Sequence, residues 1–219
     1  MLPALLFDLD GTLIDSIDLI LRSARHAFVG FGGRAPSDDE WRAGIGRPLV
    51  DAFRDFAPDE AEVQRLIGRY REYQLEHHDR LVRPYDGVVE VVHRLADAGH
   101  PMALVTSKSD WLAERALRLV GLDQAIPVVV GCDSCNRHKP HPEPVERALA
   151  LLRIGPPDAI FVGDSPHDVE AGRAAGVYTV GVTWGAFTRE AMERSGADEV
   201  IHQIEALPAL VARFRPPAG

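Results

Sequence analysis

The sequence predicts an α/β protein, an open parallel sheet with an α-helical insert after its first strand. Three observations predict it. Short, continuously apolar runs recur along the chain, segments between them repeat with a helical period, and residues 16–83 hold helical spacing with no strand candidate. Continuous rather than alternating apolarity marks strands buried on both faces, as in parallel sheets. Strand–helix alternation then implies right-handed crossovers, with ligands at the carboxyl ends of the strands.

The first strand is read in "ALLFDLD". "MALVT" (102–106), "IPVVVG" (126–131), "AIFVGD" (159–164) and "TVGVTW" (179–184) follow, and "EVIH" (199–202) is a weaker sixth. Between them, Val88, Val91, Val92 and Leu95 share one helical face, as do Leu112, Ala116, Leu119 and Val120, with Gly99 and Gly121 as stops. "HPEPVERALALL" and "SPHDVEAGRAAG" carry proline at a helix start, where a missing N–H costs little. Within the insert, Ile17, Ile20, Leu21, Ala24 and Phe28 keep helical spacing behind a candidate cap, Ser16. Val63, Leu66, Ile67 and Tyr70 do so again, and the loop "RAGIGRPL" lies between. The expected organisation is a core of 1–15 and 84–219 and a helical cap of 16–83, with "RPYDG" (83–87) as the return linker. The one biased tract is the "RPPAG" tail.

The chain has 219 residues, 46% of them hydrophobic, which allows a sizeable core. Its formal charge of −9 argues against a nucleic-acid or anionic-membrane partner. No run approaches the roughly 18 apolar residues that span a bilayer, and "MLPALLFDLD" lacks the basic start of a signal peptide. The expectation is a cytoplasmic protein, monomer or homodimer. The cysteines of "CDSC", Cys132 and Cys135, lack the second pair of a zinc site and read as ordinary thiols. Of the 24 basic residues only Lys108 and Lys139 are lysines. A lysine retained in an arginine-using chain marks a position that wants a compact ammonium.

Four strand ends converge on one edge. The first supplies Asp8 and Asp10, which point to the same side of a strand. The second supplies Thr106 and Ser107, the third is followed by Lys139, and the fourth supplies Asp164 and Asp168. Taken alone, Asp8 to Gly11 reads equally as an Asp-Gly turn. Together the set suits phosphoryl transfer through an aspartyl phosphate. Mg²⁺ on Asp8, Asp164 and the carbonyl of Asp10 would offset repulsion between carboxylate and phosphate. Thr106 and the N–H of Ser107 would bind phosphoryl oxygens, and Lys139 would hold the phosphate and Asp8. Asp10 would serve as acid and base. Asp168 is open to three roles: metal ligand, helix first turn, or support of Lys139 from outside the coordination sphere, which is favoured. Lys108 reads as a solvated residue at a helix start.

"DLDGTLIDS", "ALVTSK", "HKPHPEP" and "VGDSPHD" resemble, in order, the four motifs of the haloacid dehalogenase-like superfamily. "YDGVVEVVHRLADAG" and "AGRAAGVYTVGVTWG" are similar to its phosphoglycolate phosphatase branch. The resemblance implies a Rossmann-like core, a helical cap, Mg²⁺ dependence and a phospho-Asp8 intermediate. The expected substrate is a small phosphorylated metabolite, 2-phosphoglycolate first, with Arg47 in the cap loop reading its carboxylate. Retention of Asp10 and Asp164 argues against halide release. The absence of lysine from 16–83 argues against the Schiff-base phosphonatases. Ile20, where β-phosphoglucomutases carry histidine, disfavours a mutase. The alternatives are an inorganic pyrophosphatase or a sugar-phosphate phosphatase or phosphomutase on the same core, and a receiver-type phospho-switch would need no cap.

Overall fold

The computed structural model describes residues 2–215; the tail from 216 to 219 lies outside them. Leu5 and Phe7 of β1 (Ala4–Phe7) join one apolar cluster and Ala4 and Leu6 another, because successive side chains of a strand leave on opposite faces. Two residues of β2 (Ile14–Asp15) lead into four helices, α1 (Ile17–Phe28), α2 (Asp38–Ala43), α3 (Leu49–Arg54) and α4 (Glu60–Leu81). The chain returns through β3 (Arg83–Pro84) and continues as α5 (Val88–Asp97), β4 (Met102–Val105), α6 (Asp110–Val120) and β5 (Val128–Val130). It closes with α7 (Glu143–Leu152), β6 (Ala159–Gly163), α8 (Pro166–Ala174), β7 (Tyr178–Val182), α9 (Arg189–Arg194), β8 (Glu199–Ile201) and α10 (Leu207–Arg213).

The six-stranded sheet runs β5-β4-β1-β6-β7-β8, every pair parallel. It is an α/β fold. The chain moves outward from β1 to β4 and β5, then crosses back to build β6, β7 and β8 on the other side. This reversal opens a crevice at the carboxyl end of β1, where such sheets bind ligands. Phe7 pairs with Leu104 on one side and Val162 on the other, so Asp8 emerges between the ends of β4 and β6.

The four helices between β2 and β3 contain no strand and gather a separate apolar cluster. Ile17, Ile20, Leu21 and Phe28 of α1 pack with Trp41, Phe53, Val63, Leu66, Ile67 and Tyr70. The Trp41 and Phe53 ring centroids are 4.8 Å apart, and Tyr70 meets Phe53 edge-on at 5.9 Å. Fully burying each such side chain contributes roughly 1.5–3 kcal/mol. A two-residue antiparallel ladder, Ile14 with Pro84 and Asp15 with Arg83, clamps the entry and exit of this insert; periodicity does not reveal so short a pairing. Ser16 does not cap α1 as expected. The Asp15 carboxylate accepts from the Ile17 N–H at 3.3 Å instead, and Ser16 serves the site described next. Among the described residues, no helix is long and apolar enough to cross a membrane.

Candidate active site

The turn after β1 places Asp8 at the base of a crevice and Asp10 on its wall. Asp8 is buried, and its own N–H donates to the Val162 carbonyl at 2.9 Å, which ties the loop to β6. Gly11, at φ +89°, lets the chain turn under Asp164; a Cβ there would lie 2.2 Å from Asp164 Oδ2. Burial in such a place favours neutral carboxyls.

Lys139, from the loop after β5, is almost fully enclosed. Its ammonium donates to Asp8 Oδ1 at 2.7 Å, Asp168 Oδ1 at 2.6 Å and the Val105 carbonyl at 3.2 Å. Three acceptors match the three N–H groups of an ammonium, which accounts for lysine at this position in an arginine-rich chain. Burial opposes the charge on Lys139, but Asp168 and Asp8 outweigh it and raise its pKa. Asp168 is also fixed by Ser165: its Oδ2 accepts from the Ser165 hydroxyl at 2.6 Å and N–H at 3.0 Å, while the serine caps α8. Both Asp168 oxygens are therefore occupied by protein donors.

Asp164 is held from the other side. Its Oδ2 accepts from the Ala186 N–H at 2.7 Å and its Oδ1 from Thr12 Oγ1 at 3.3 Å. The loop carrying Ala186 is steadied by Trp184, whose indole N–H donates to the Thr12 carbonyl at 3.1 Å. Oxygens of Asp8, Asp164 and Asp168 lie within 4.8 Å of one another. Burial, despite Lys139, raises Asp8 to about 7, with Asp168 adding to the rise. Burial with Asp8 and Asp168 nearby lifts Asp164 well above the usual carboxylate range. A buried acidic trio that one ammonium neutralises only in part is a site that fits a further hard cation, and carboxylate oxygens are what Mg²⁺ prefers.

Asp10 is arranged differently from the expectation for its neighbourhood. Lys108, anticipated as a solvated lysine, is 6% exposed at its side chain and donates to Asp10 Oδ1 at 2.8 Å and Oδ2 at 2.7 Å. Leaving a carboxylate without a partner in this wall is costly, and Lys108 lies close enough on the loop after β4 to supply one. Ser16 Oγ adds a third bond to Asp10 Oδ1 at 2.5 Å. The rarity of lysine in the sequence was the available signal for Lys108; nothing in the spacing marked Ser16.

Thr106 is buried beside Asp8, its hydroxyl accepting from the Lys108 N–H at 3.2 Å. Ser107 has an additional partner: its hydroxyl donates to the Gly46 carbonyl at 2.6 Å, joining the loop after β4 to the insert. Asp8, Asp10, Thr106, Ser107, Lys108 and Arg47 line one cavity of about 230 Å³ between the sheet edge and the insert. Arg47 reaches that cavity, but its guanidinium donates to Asp55 Oδ2 at 2.6 Å. Cys132 borders the cavity as a thiol that burial pushes up to about 11.

The family described as haloacid dehalogenase-like hydrolase matches residues 5–182. The chain is 36% identical over 211 residues to the pyrophosphatase PpaX of Listeria monocytogenes serotype 4b, covering 96% of each chain. A solved structure from Clostridium acetobutylicum, described as a predicted phosphatase, superposes with a TM-score of 0.86 at 26% identity, covering 98% of this chain and all of that one. Another, described as a predicted phosphoglycolate phosphatase from Haemophilus somnus 129PT, has a TM-score of 0.84 at 25% identity, covering 95% and 97%.

Proposed function

The chain belongs to the haloacid dehalogenase-like hydrolases, and on that premise we propose that it is a Mg²⁺-dependent phosphatase of small phosphate monoesters, 2-phosphoglycolate first, acting through an aspartyl phosphate on Asp8. The observation that carries this reading is the buried Asp8 carboxylate, fixed by Lys139 at the base of the cavity between the sheet edge and the insert and grouped with Asp164.

Asp8, Asp164 and the Asp10 carbonyl are the groups that would hold the ion. When bound, Mg²⁺ supplies positive charge against which an anionic nucleophile and an anionic phosphoryl group approach. An Asp8 carboxylate oxygen attacks phosphorus and the bond from phosphorus to the ester oxygen breaks. Asp10 gives its proton to the departing oxygen. Water then attacks the phosphoryl group, Asp10 takes the water's proton, and the bond between Asp8 and phosphorus breaks to release inorganic phosphate and restore both carboxyls. Thr106 and the Ser107 N–H bind phosphoryl oxygens. Lys139 holds Asp8 in line; its contact with the phosphoryl group would exchange the Val105 carbonyl, the longest of its three bonds. Lys108 and Ser16 fix the Asp10 carboxylate at the wall between turnovers.

The name borne by the Listeria relative favours a second reading, pyrophosphate as substrate on the same machinery. The test is phosphate release from a panel of monoesters and pyrophosphate, with Mg²⁺, with chelator, and with Asp8→Asn. Activity is expected to vanish in chelator, return with Mg²⁺ and fall on the order of 10⁴-fold or more in Asp8→Asn, as for other covalent nucleophiles. Turnover by Asp8→Asn at a rate near that of the unaltered protein would refute the aspartyl phosphate. A pyrophosphate preference would select the second reading.

A further inference from the structure

Helix α4 turns one face toward the cavity. Tyr70 and Gln74 sit four residues apart on it, hence one above the other, and both line the cavity. They are 3% and 6% exposed; among the described residues no protein group hydrogen-bonds the hydroxyl or the amide, and neither is among the side-chain atoms sealed from solvent, so both polar ends stay open to the cavity they line. A polar group that opens on a cavity bonds water there until a ligand atom displaces that water. Two such groups, aimed into the cavity that holds the nucleophile, are in the position of ligand contacts. They are also neutral ones: glutamine does not titrate, and burial pushes the Tyr70 phenol further above neutrality.

The other side chains of the cavity narrow the ligand. Its apolar wall comes from Trp41, Ile45, Leu49 and Ile67. Its cations are already engaged or stand at its rim: Lys108 is held by Asp10, the part-exposed Arg47 is held by Asp55, and Arg71 is exposed at the border. A second phosphate would bring its charge to neutral donors and hydrocarbon. An organic fragment would lay carbon on that wall and offer oxygen to α4.

We propose that Tyr70 and Gln74 form the leaving-group subsite, donating to an oxygen of an organic fragment, so that the substrates are oxygenated phosphate monoesters rather than pyrophosphate. This rests on the phosphatase reading above and adds the residues that select within it.

The experiment measures kcat/KM of the full-length protein with Mg²⁺ for 2-phosphoglycolate, glycerol 3-phosphate, pyrophosphate and p-nitrophenyl phosphate. At least one of the first two is expected to exceed pyrophosphate by about tenfold, a difference of about 1.4 kcal/mol. Tyr70→Phe and Gln74→Leu are each expected to lower the ratio of the preferred oxygenated ester to the aryl phosphate by about 3- to 10-fold, mainly through KM. Packing damage alone would lower both substrates together. Ratios that stay unchanged in folded variants, or a pyrophosphate preference in the unaltered protein, would overturn the subsite. If Tyr70→Phe does not fold, Gln74→Leu and the substrate ranking decide. Absence of Asp8-dependent phosphate release from all four compounds would overturn the phosphatase reading itself, and the subsite with it.

Discussion

At the carboxyl edge of the sheet, buried polar groups are paired with one another. Lys139 spends all three donors, Asp168 both oxygens, and Asp10 accepts from Lys108 and Ser16. On the facing side of the helical insert, Tyr70 and Gln74 are as deeply buried and have no such partners. The first pattern is that of a preorganised centre, in which fixed dipoles and charges stabilise the reacting groups without rearrangement. The second is that of a surface awaiting a ligand. The two sides also differ in scaffold. The edge is anchored to a six-stranded parallel sheet, whereas the insert is held by its own aromatic cluster, a two-residue ladder and the Ser107–Gly46 bond.

The contrast is broken most severely by Lys139→Arg. A planar guanidinium does not reproduce three bonds to Asp8, Asp168 and the Val105 carbonyl, so kcat/KM is expected to fall about 10²–10³-fold, the loss seen when one preorganised donor is removed. Steady-state kinetics on any accepted ester checks this, alongside thermal melting. A variant with normal kinetics would reduce Lys139 to a general cation and weaken the idea of a fully specified edge.

The same substitution on both sides sharpens the comparison. A Cβ at Gly185 would lie 2.2 Å from Asp164 Oδ2 and 2.4 Å from the Gly11 carbonyl oxygen. Backbone and a buried carboxylate must then move, so Gly185→Ala is expected to reduce activity about 10²-fold through misplacement, with a higher Mg²⁺ concentration needed for half-maximal rate. A Cβ at Gly68 in α4 meets nothing within 4 Å. Gly68→Ala should raise stability by about 0.5–1 kcal/mol, read by chemical denaturation, with catalysis retained. Equal tolerance at both positions would mean the edge is more compliant than its packing indicates.

Arg47→Ala is expected to give the smallest loss of activity among the damaging substitutions. A carboxylate substrate would gain a charge-assisted bond of about 1.5–3 kcal/mol but must draw Arg47 from Asp55, an exposed pair worth about 0–1 kcal/mol. The net expected loss in kcat/KM is about 1–2 kcal/mol for 2-phosphoglycolate, and less for an aryl phosphate. Equal losses on both substrates would assign Arg47 to holding the insert together through Asp55.

Much of this architecture is legible in the residues alone. Apolar runs such as "ALLF" and "AIFVG" announce strands because burial on both faces excludes polar side chains from them, and the helical spacing from Ile17 to Phe28 announces the insert for the same reason on one face. Asp8, Thr106, Lys139 and Asp164 could be gathered on one edge because parallel strands all end on the same side. What only the tertiary structure decided are the partnerships. Lys108 turned inward to Asp10, Ser16 left the helix end for the same carboxylate, Ser107 reached across to Gly46, and Arg47 paired within the insert. Periodicity records which face of an element is apolar. It carries no record of which charged or hydroxyl groups from distant elements meet once that face is buried, because those pairings are set by distances of a few ångströms between side chains as far apart in sequence as Asp10 and Lys108.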